Sequence, residues 1–142
     1  MMEGVRAVMV NRAPRTLQGV AMKRLAILLT GLNGALAVGA GAYGAHAMGT
    51  LPDDVAAMWN TASLFHLIHA ASLAGVTALV ALMPDERWFR ISFALLFGGV
   101  VLFCGSLYLR ALVGISAGPV TPAGGIAFML GWLALVPAAW RR

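Results

Sequence analysis

Three histidines are the residues of this chain best suited to chemistry: His46 in "GAYGAHAM" (Gly41 to Met48), and His66 and His69 in "FHLIHAA" (Phe65 to Ala71). Each closes or interrupts an apolar run, where an ionisable group is costly enough to be a functional candidate. Imidazole is the cheapest such group to bury, because it can be uncharged near neutral pH. His66 and His69 are three residues apart and on a helix share a face, with Ser63 and Thr77 near the same side. That spacing suits metal sites in helix bundles, where a carboxylate joins the ligand set. No Asp or Glu lies within any apolar run, so no metal site is expected. Three chemistries remain for the histidines: hydrogen bonding to neutral groups, contact with protons or small solutes, and haem ligation by His46 with His69 or His66. No haem-attachment motif accompanies them, and no cofactor is expected.

Asn33, Ser106, Tyr108 and Arg110 complete the candidate polar network. A tight hairpin turning near Gly49 would set His66 level with Asn33, His69 with Thr30 and His46 with Asp53. A stretch lying along the membrane surface over residues 50–58 would instead bring His66 towards the level of Gly41 and His46. Arg110 is expected to snorkel to the interface or to pair with Asp53 or Asp54. No nucleophile elbow, phosphate-binding glycine loop or H-E-x-x-H pattern is present, so no catalytic residue and no enzyme activity is expected.

The elements that must position these groups are membrane helices. Of 142 residues, 61% are apolar and 11% charged, and mean hydropathy is +0.86. Globular chains carry roughly 25% charged residues, and a core this small cannot bury so much apolar surface without lipid. A crossing helix needs about 20 apolar residues. Four stretches meet that loosely: Leu25–Met48, Asn60–Met83, Trp88–Val113 and Gly124–Trp140. The expected fold is an all-α integral membrane protein, a four-transmembrane-helix bundle. Residues 1–24 read as a basic, disordered extension, and Met22 resembles a natural start. The alternative of a signal peptide cut after Ala47 is disfavoured, because the apolar run exceeds the usual length of about 7–15 residues.

Nine of the ten basic residues flank the runs at one end: Arg6, Arg12, Arg15, Lys23, Arg24, Arg87, Arg90, Arg141 and Arg142. Basic residues favour the cytoplasmic side, so both termini are expected inside, in a bacterial inner membrane. They form no patch interleaved with aromatics, which excludes nucleic acid as a partner. The single cysteine, Cys104, excludes an intrachain disulfide and reads as a small buried hydrophobe. Thr50 is expected to cap the second helix, with Pro52 in its first turn. Small residues recur every fourth position (Gly31, Ala35, Gly39; Ala37, Gly41, Ala45; Ala123, Ala127, Gly131), as close helix packing in lipid requires. Gly31, Gly39, Gly44, Gly105 and Gly131 are the packing glycines expected from this pattern.

Taken as a set, "GAYGAHAM", "FHLIHAASLAG", "GSLYLRALVG" and "GPVTPAGGIAFMLGW" resemble the domain-of-unknown-function 423 family of small membrane proteins, which includes transmembrane protein 256. The resemblance runs from Leu25 to Trp140. The family's residues fall on Gly41, Gly44, Ala45, His46, His69, Ala70, on Gly105 to Tyr108, and on Gly118, Pro119, Thr121, Pro122, Gly124 and Gly125. Tyr43 and Arg110 depart from its pattern. The resemblance implies a four-helix bacterial membrane protein and supplies no activity. The function expected is a non-enzymatic helix-packing or partner-binding module in the lipid bilayer, as a homo-oligomer or with a membrane-protein partner. The competing expectations are a proton or small-solute transporter component acting as an oligomer, and a haem-binding redox protein.

Overall fold

The computed structural model describes residues 13–47, 49, 52–83 and 87–140, with side chains from residue 19 onward. Regular structure among them is helical throughout. Helix α1 is Ala13–Ala47 and α2 is Asp53–Leu82. Helix α3 covers Arg87–Val113, with a π-helical turn at Val100–Cys104. Helix α4, Val120–Leu133, continues after a short break as a 3-10 segment at Val136–Trp140. Gly19–Ala47, Asp53–Leu82, Arg87–Val113 and Val120–Trp140 are each long and apolar enough to cross a membrane.

Proline and glycine set the ends. Helix α1 starts at Ala13, not at Leu25, so residues 13–24 are helical; residues 1–12 of the expected extension lie outside the described residues. Thr50, the expected cap of α2, also lies outside them. Pro52 takes the cap position, and its carbonyl accepts from the Val55 and Ala56 amides, both at 3.0 Å. The helix then runs unbroken through residues 53–58, which corrects the surface-lying alternative. At 1.5 Å per residue α2 is about 45 Å long, so its first turns extend past a hydrocarbon core of about 30 Å. Helix α3 stops at Gly114, whose φ of +72° turns its amide back to the Arg110 carbonyl at 2.9 Å, as left-handed caps do. Helix α4 begins at Val120 rather than Gly124. Pro122 stands in its first turn, where the missing N–H has no helical acceptor to lose.

Helix α1 packs chiefly on α2, α2 on α3, and α3 on α4. The apolar core is built from Leu73, Val76 and Val80 of α2, Phe89, Phe93, Leu96, Val100 and Cys104 of α3, and Phe128 of α4. Helix α1 touches this core with Ala26 and turns Leu28, Leu32 and Leu36 outward.

The packing glycines divide. A Cβ on Gly44 would lie 2.8 Å from the Trp59 ring, and one on Gly131 2.8 Å from Leu96. Gly31, Gly39 and Gly105 have nothing within 4 Å of such an atom and therefore do not bring helices of this chain together. The reason is helical phase: the inward face of α1 follows Ala26, Asn33 and Ala37, while Gly31 and Gly39 lie on the outer side. Closer approaches occur at two other glycines. Gly99 meets the Phe128 ring, and Gly124 meets the Phe103 backbone.

Candidate functional site

The polar side chains of the apolar helices form latches that each join two or more helices. In the middle of the bundle, His66 of α2 spans both neighbours. Its Nε2 is 3.2 Å from Asn33 Oδ1 on α1, and its Nδ1 is 3.3 Å from the Tyr108 hydroxyl on α3. With the Asn33 carboxamide oxygen facing the ring, Nε2 carries the ring proton and Nδ1 accepts from Tyr108. The Tyr108 hydroxyl also lies 3.5 Å from Ser63 Oγ, so one phenolic proton faces two acceptors. Asn33 and His66 are both buried. The Asn33 amide nitrogen has no hydrogen-bond partner among the described residues.

His69 makes the second latch with the opposite tautomer. Its Nδ1 lies 2.8 Å from the Phe65 carbonyl, which can only accept, so Nδ1 is protonated. Nε2 then accepts from the Trp132 indole N–H of α4 at 3.4 Å. The ring stacks on Phe128 with centroids 3.6 Å apart. Its level partner is thus not Thr30, as the hairpin reading has it. Three residues on a helix differ by about 60° in direction, which turns His69 away from α1 towards α4. Thr30 bonds instead to Thr77 Oγ1 at 2.7 Å.

The third latch ties α3 to the start of α4. Ser106 donates to the Phe103 carbonyl at 2.9 Å, which uses its only proton, so Thr121 donates to Ser106 Oγ at 2.7 Å. Between this end and the middle lies Trp59. It is buried between Tyr43 and Tyr108, with ring centroids 4.9 and 4.6 Å away. Its indole N–H donates to the Ala40 carbonyl of α1 at 2.9 Å. Trp59, Thr121, Phe128 and Trp132 carry as much of the seam as the residues chosen from sequence. The signal for Trp59 was its place four residues before Ser63, on the face that also presents His66.

His46 and Arg110 stand apart, both exposed at the end of the bundle opposite Lys23 and Arg24. Among the described residues His46 makes no bond to Asp53, and Arg110 pairs with neither Asp53 nor Asp54. Each lies in the last turn of its helix, where positive charge suits the helix dipole. His46 is therefore not brought to His66 or His69. Among the described residues, no three His, Cys, Asp or Glu side chains converge as a metal site needs. The lone pairs a haem iron would use on His66 and His69 face the Tyr108 hydroxyl and the Trp132 N–H, so these side chains as held do not fit the group. Chemically, the seam is suited to fixing helix positions through neutral hydrogen bonds.

His66, His69, Tyr108, Ser106 and Thr121 lie between Ala40 and Gly125, while their partners Asn33 and Trp132 lie outside that interval. That interval is the one matched by the model of the family described as protein of unknown function (DUF423), residues 40–125. The chain belongs to this family. It is 40% identical over 115 residues to the UPF0382 membrane protein YwdK of Bacillus subtilis, covering 80% of this chain and 94% of that protein. A UPF0382 membrane protein of Staphylococcus epidermidis, SERP0230, is 39% identical over 79% of this chain and 92% of its own length. One from Staphylococcus aureus, SAB0533, is 33% identical over 83% of this chain and 97% of its own length. No solved structure matches the chain.

Proposed function

We propose that this DUF423 protein is a non-enzymatic membrane module whose histidines hold helices in place and whose outward α1 face associates with a second copy. The observation that carries this reading is the use of all four ring nitrogens of His66 and His69 in contacts within the bundle. A proton carrier or an iron ligand needs a nitrogen free to exchange its partner. Small residues at Gly31, Ala35 and Gly39 on the open side of α1 support self-association, since they let helix backbones approach in lipid. The grouping of basic residues at one end supports a cytoplasmic location for both termini and an inner-membrane setting.

The test is reconstitution into proteoliposomes. Wild type and His69→Ala should both pass protons and small solutes no faster than empty vesicles, while Gly39→Leu should reduce cross-linked dimer without lowering the unfolding midpoint. Proton or solute flux that His69→Ala abolishes would replace this reading with transport.

A further inference from the structure

The geometry points to a binding site for one anionic phospholipid at the basic end of the bundle, where α1, α2 and α3 meet. Met22, Leu25 and Ala26 of α1, Val80 of α2, and Arg90 and Phe93 of α3 line a crevice there. Its enclosed volume is about 20 Å³, room for roughly one water molecule. Small-molecule pockets run to about 300–1,000 Å³, so the crevice encloses no such ligand. It is a shallow, partly open furrow with a wholly apolar wall. A hydrocarbon chain lying in it would meet Leu25, Val80 and Phe93.

Arg90 distinguishes this furrow from ordinary lipid-facing surface. It contributes only apolar atoms to the wall, so its stem lies along the furrow and its guanidinium reaches the rim. Among the described residues it makes no ion pair. Lys23 and Arg24 adjoin the lining residues Met22 and Leu25 in sequence, and Arg87 stands one turn before Arg90, its guanidinium 5.2 Å above the Trp88 ring. By sequence this end carries nine basic residues against Glu3, Asp85 and Glu86. A planar guanidinium is matched to a phosphodiester. Basic recesses between membrane helices recognise anionic headgroups on this principle. An apolar furrow ending at a cationic rim fits a lipid with one chain in the furrow and its phosphate at Arg90. The proposal is independent of which side of the membrane this end faces.

Native mass spectrometry of the full chain in detergent, with phosphatidylglycerol or phosphatidylcholine of identical acyl chains, tests it. Wild type should retain one phosphatidylglycerol under conditions that strip phosphatidylcholine. Arg90→Gln should lower retention about tenfold, as loss of one charge-assisted hydrogen bond would. Arg90→Lys, which keeps the charge, should retain more lipid than Arg90→Gln, and Arg110→Gln, at the opposite end, should match wild type. Equal retention of the two lipids would overturn the site, as would equal losses for Arg90→Gln and Arg110→Gln. Displacement of the lipid by inorganic phosphate at equal concentration would overturn the role of the furrow.

Discussion

At Gly44 a missing side chain lets a tryptophan reach a helix backbone. The Ala40 carbonyl lies one turn before Gly44 on α1 and accepts from Trp59 at 2.9 Å. A Cβ at Gly44 would sit 2.8 Å from both Cδ1 and Nε1 of that indole. The ring has little room to retreat, because Tyr108 lies behind it at 4.6 Å and Tyr43 beside it at 4.9 Å. Overpacking of this kind costs about 1–3 kcal/mol, and the displaced indole would leave its N–H without an acceptor. Gly44→Ala should therefore destabilise the protein by about 2 kcal/mol, whereas Gly39→Ala, with nothing within 4 Å, should leave stability unchanged or slightly raised by helix propensity. Unfolding in mixed detergent micelles reads both, and equal losses would contradict the packing at Gly44. The same geometry places His46 two residues on, in the exposed last turn of α1, clear of the tryptophan.

Helices were legible in the sequence where apolar length alone decides, and less so where phase or caps decide. Four runs of sufficient length identify four crossings, and the two breakers "MPDER" and "GISAGPVTPAGG" separate them. The second breaker, rich in proline and glycine, reads as a turn that gives way to the fourth run at Gly124. Only the backbone reveals that Pro119 precedes α4 and Pro122 falls in its first turn, where neither costs a bond. The π-turn at Val100–Cys104 has no sequence signature. It adds about one residue to a turn and advances the helix face by about 100°. Beyond Phe93, Leu96 and Val100, it brings Cys104 and Ser106 inward, where Ser106 meets Thr121. Choosing among the glycine stripes failed for a related reason: every fourth position is small on more than one face of α1, and composition does not say which face meets α2. The pairing of His66 with Asn33 follows from a simple hairpin. That of His69 with Trp132 requires knowing that α4 lies across α2.

As a whole, the molecule has a buried pair, α2 and α3, with α4 held against both and α1 against α2. Helix α1 is the most open, with Leu32, Leu36 and Val38 each about two-thirds exposed; these face lipid or a second copy. With an even number of crossings, the proposed orientation sets the loop after α3 outside and the end of α2 inside. In a Cys104→Ala background, Ser116→Cys should react with a membrane-impermeant maleimide in intact cells, and Met83→Cys only after permeabilisation. The reverse pattern would invert the topology while leaving the bundle's interior unaffected. That interior is defined by two histidines with opposite proton placement, each spent on holding a neighbouring helix. The most direct test of this structural role is the ¹⁵N spectrum of histidine-labelled protein in micelles. One imidazole should appear as the Nδ1–H tautomer and vanish in His69→Gln, and a second as the Nε2–H tautomer and vanish in His66→Gln. The same tautomer at both positions, or resonances shifted by bound iron, would contradict it.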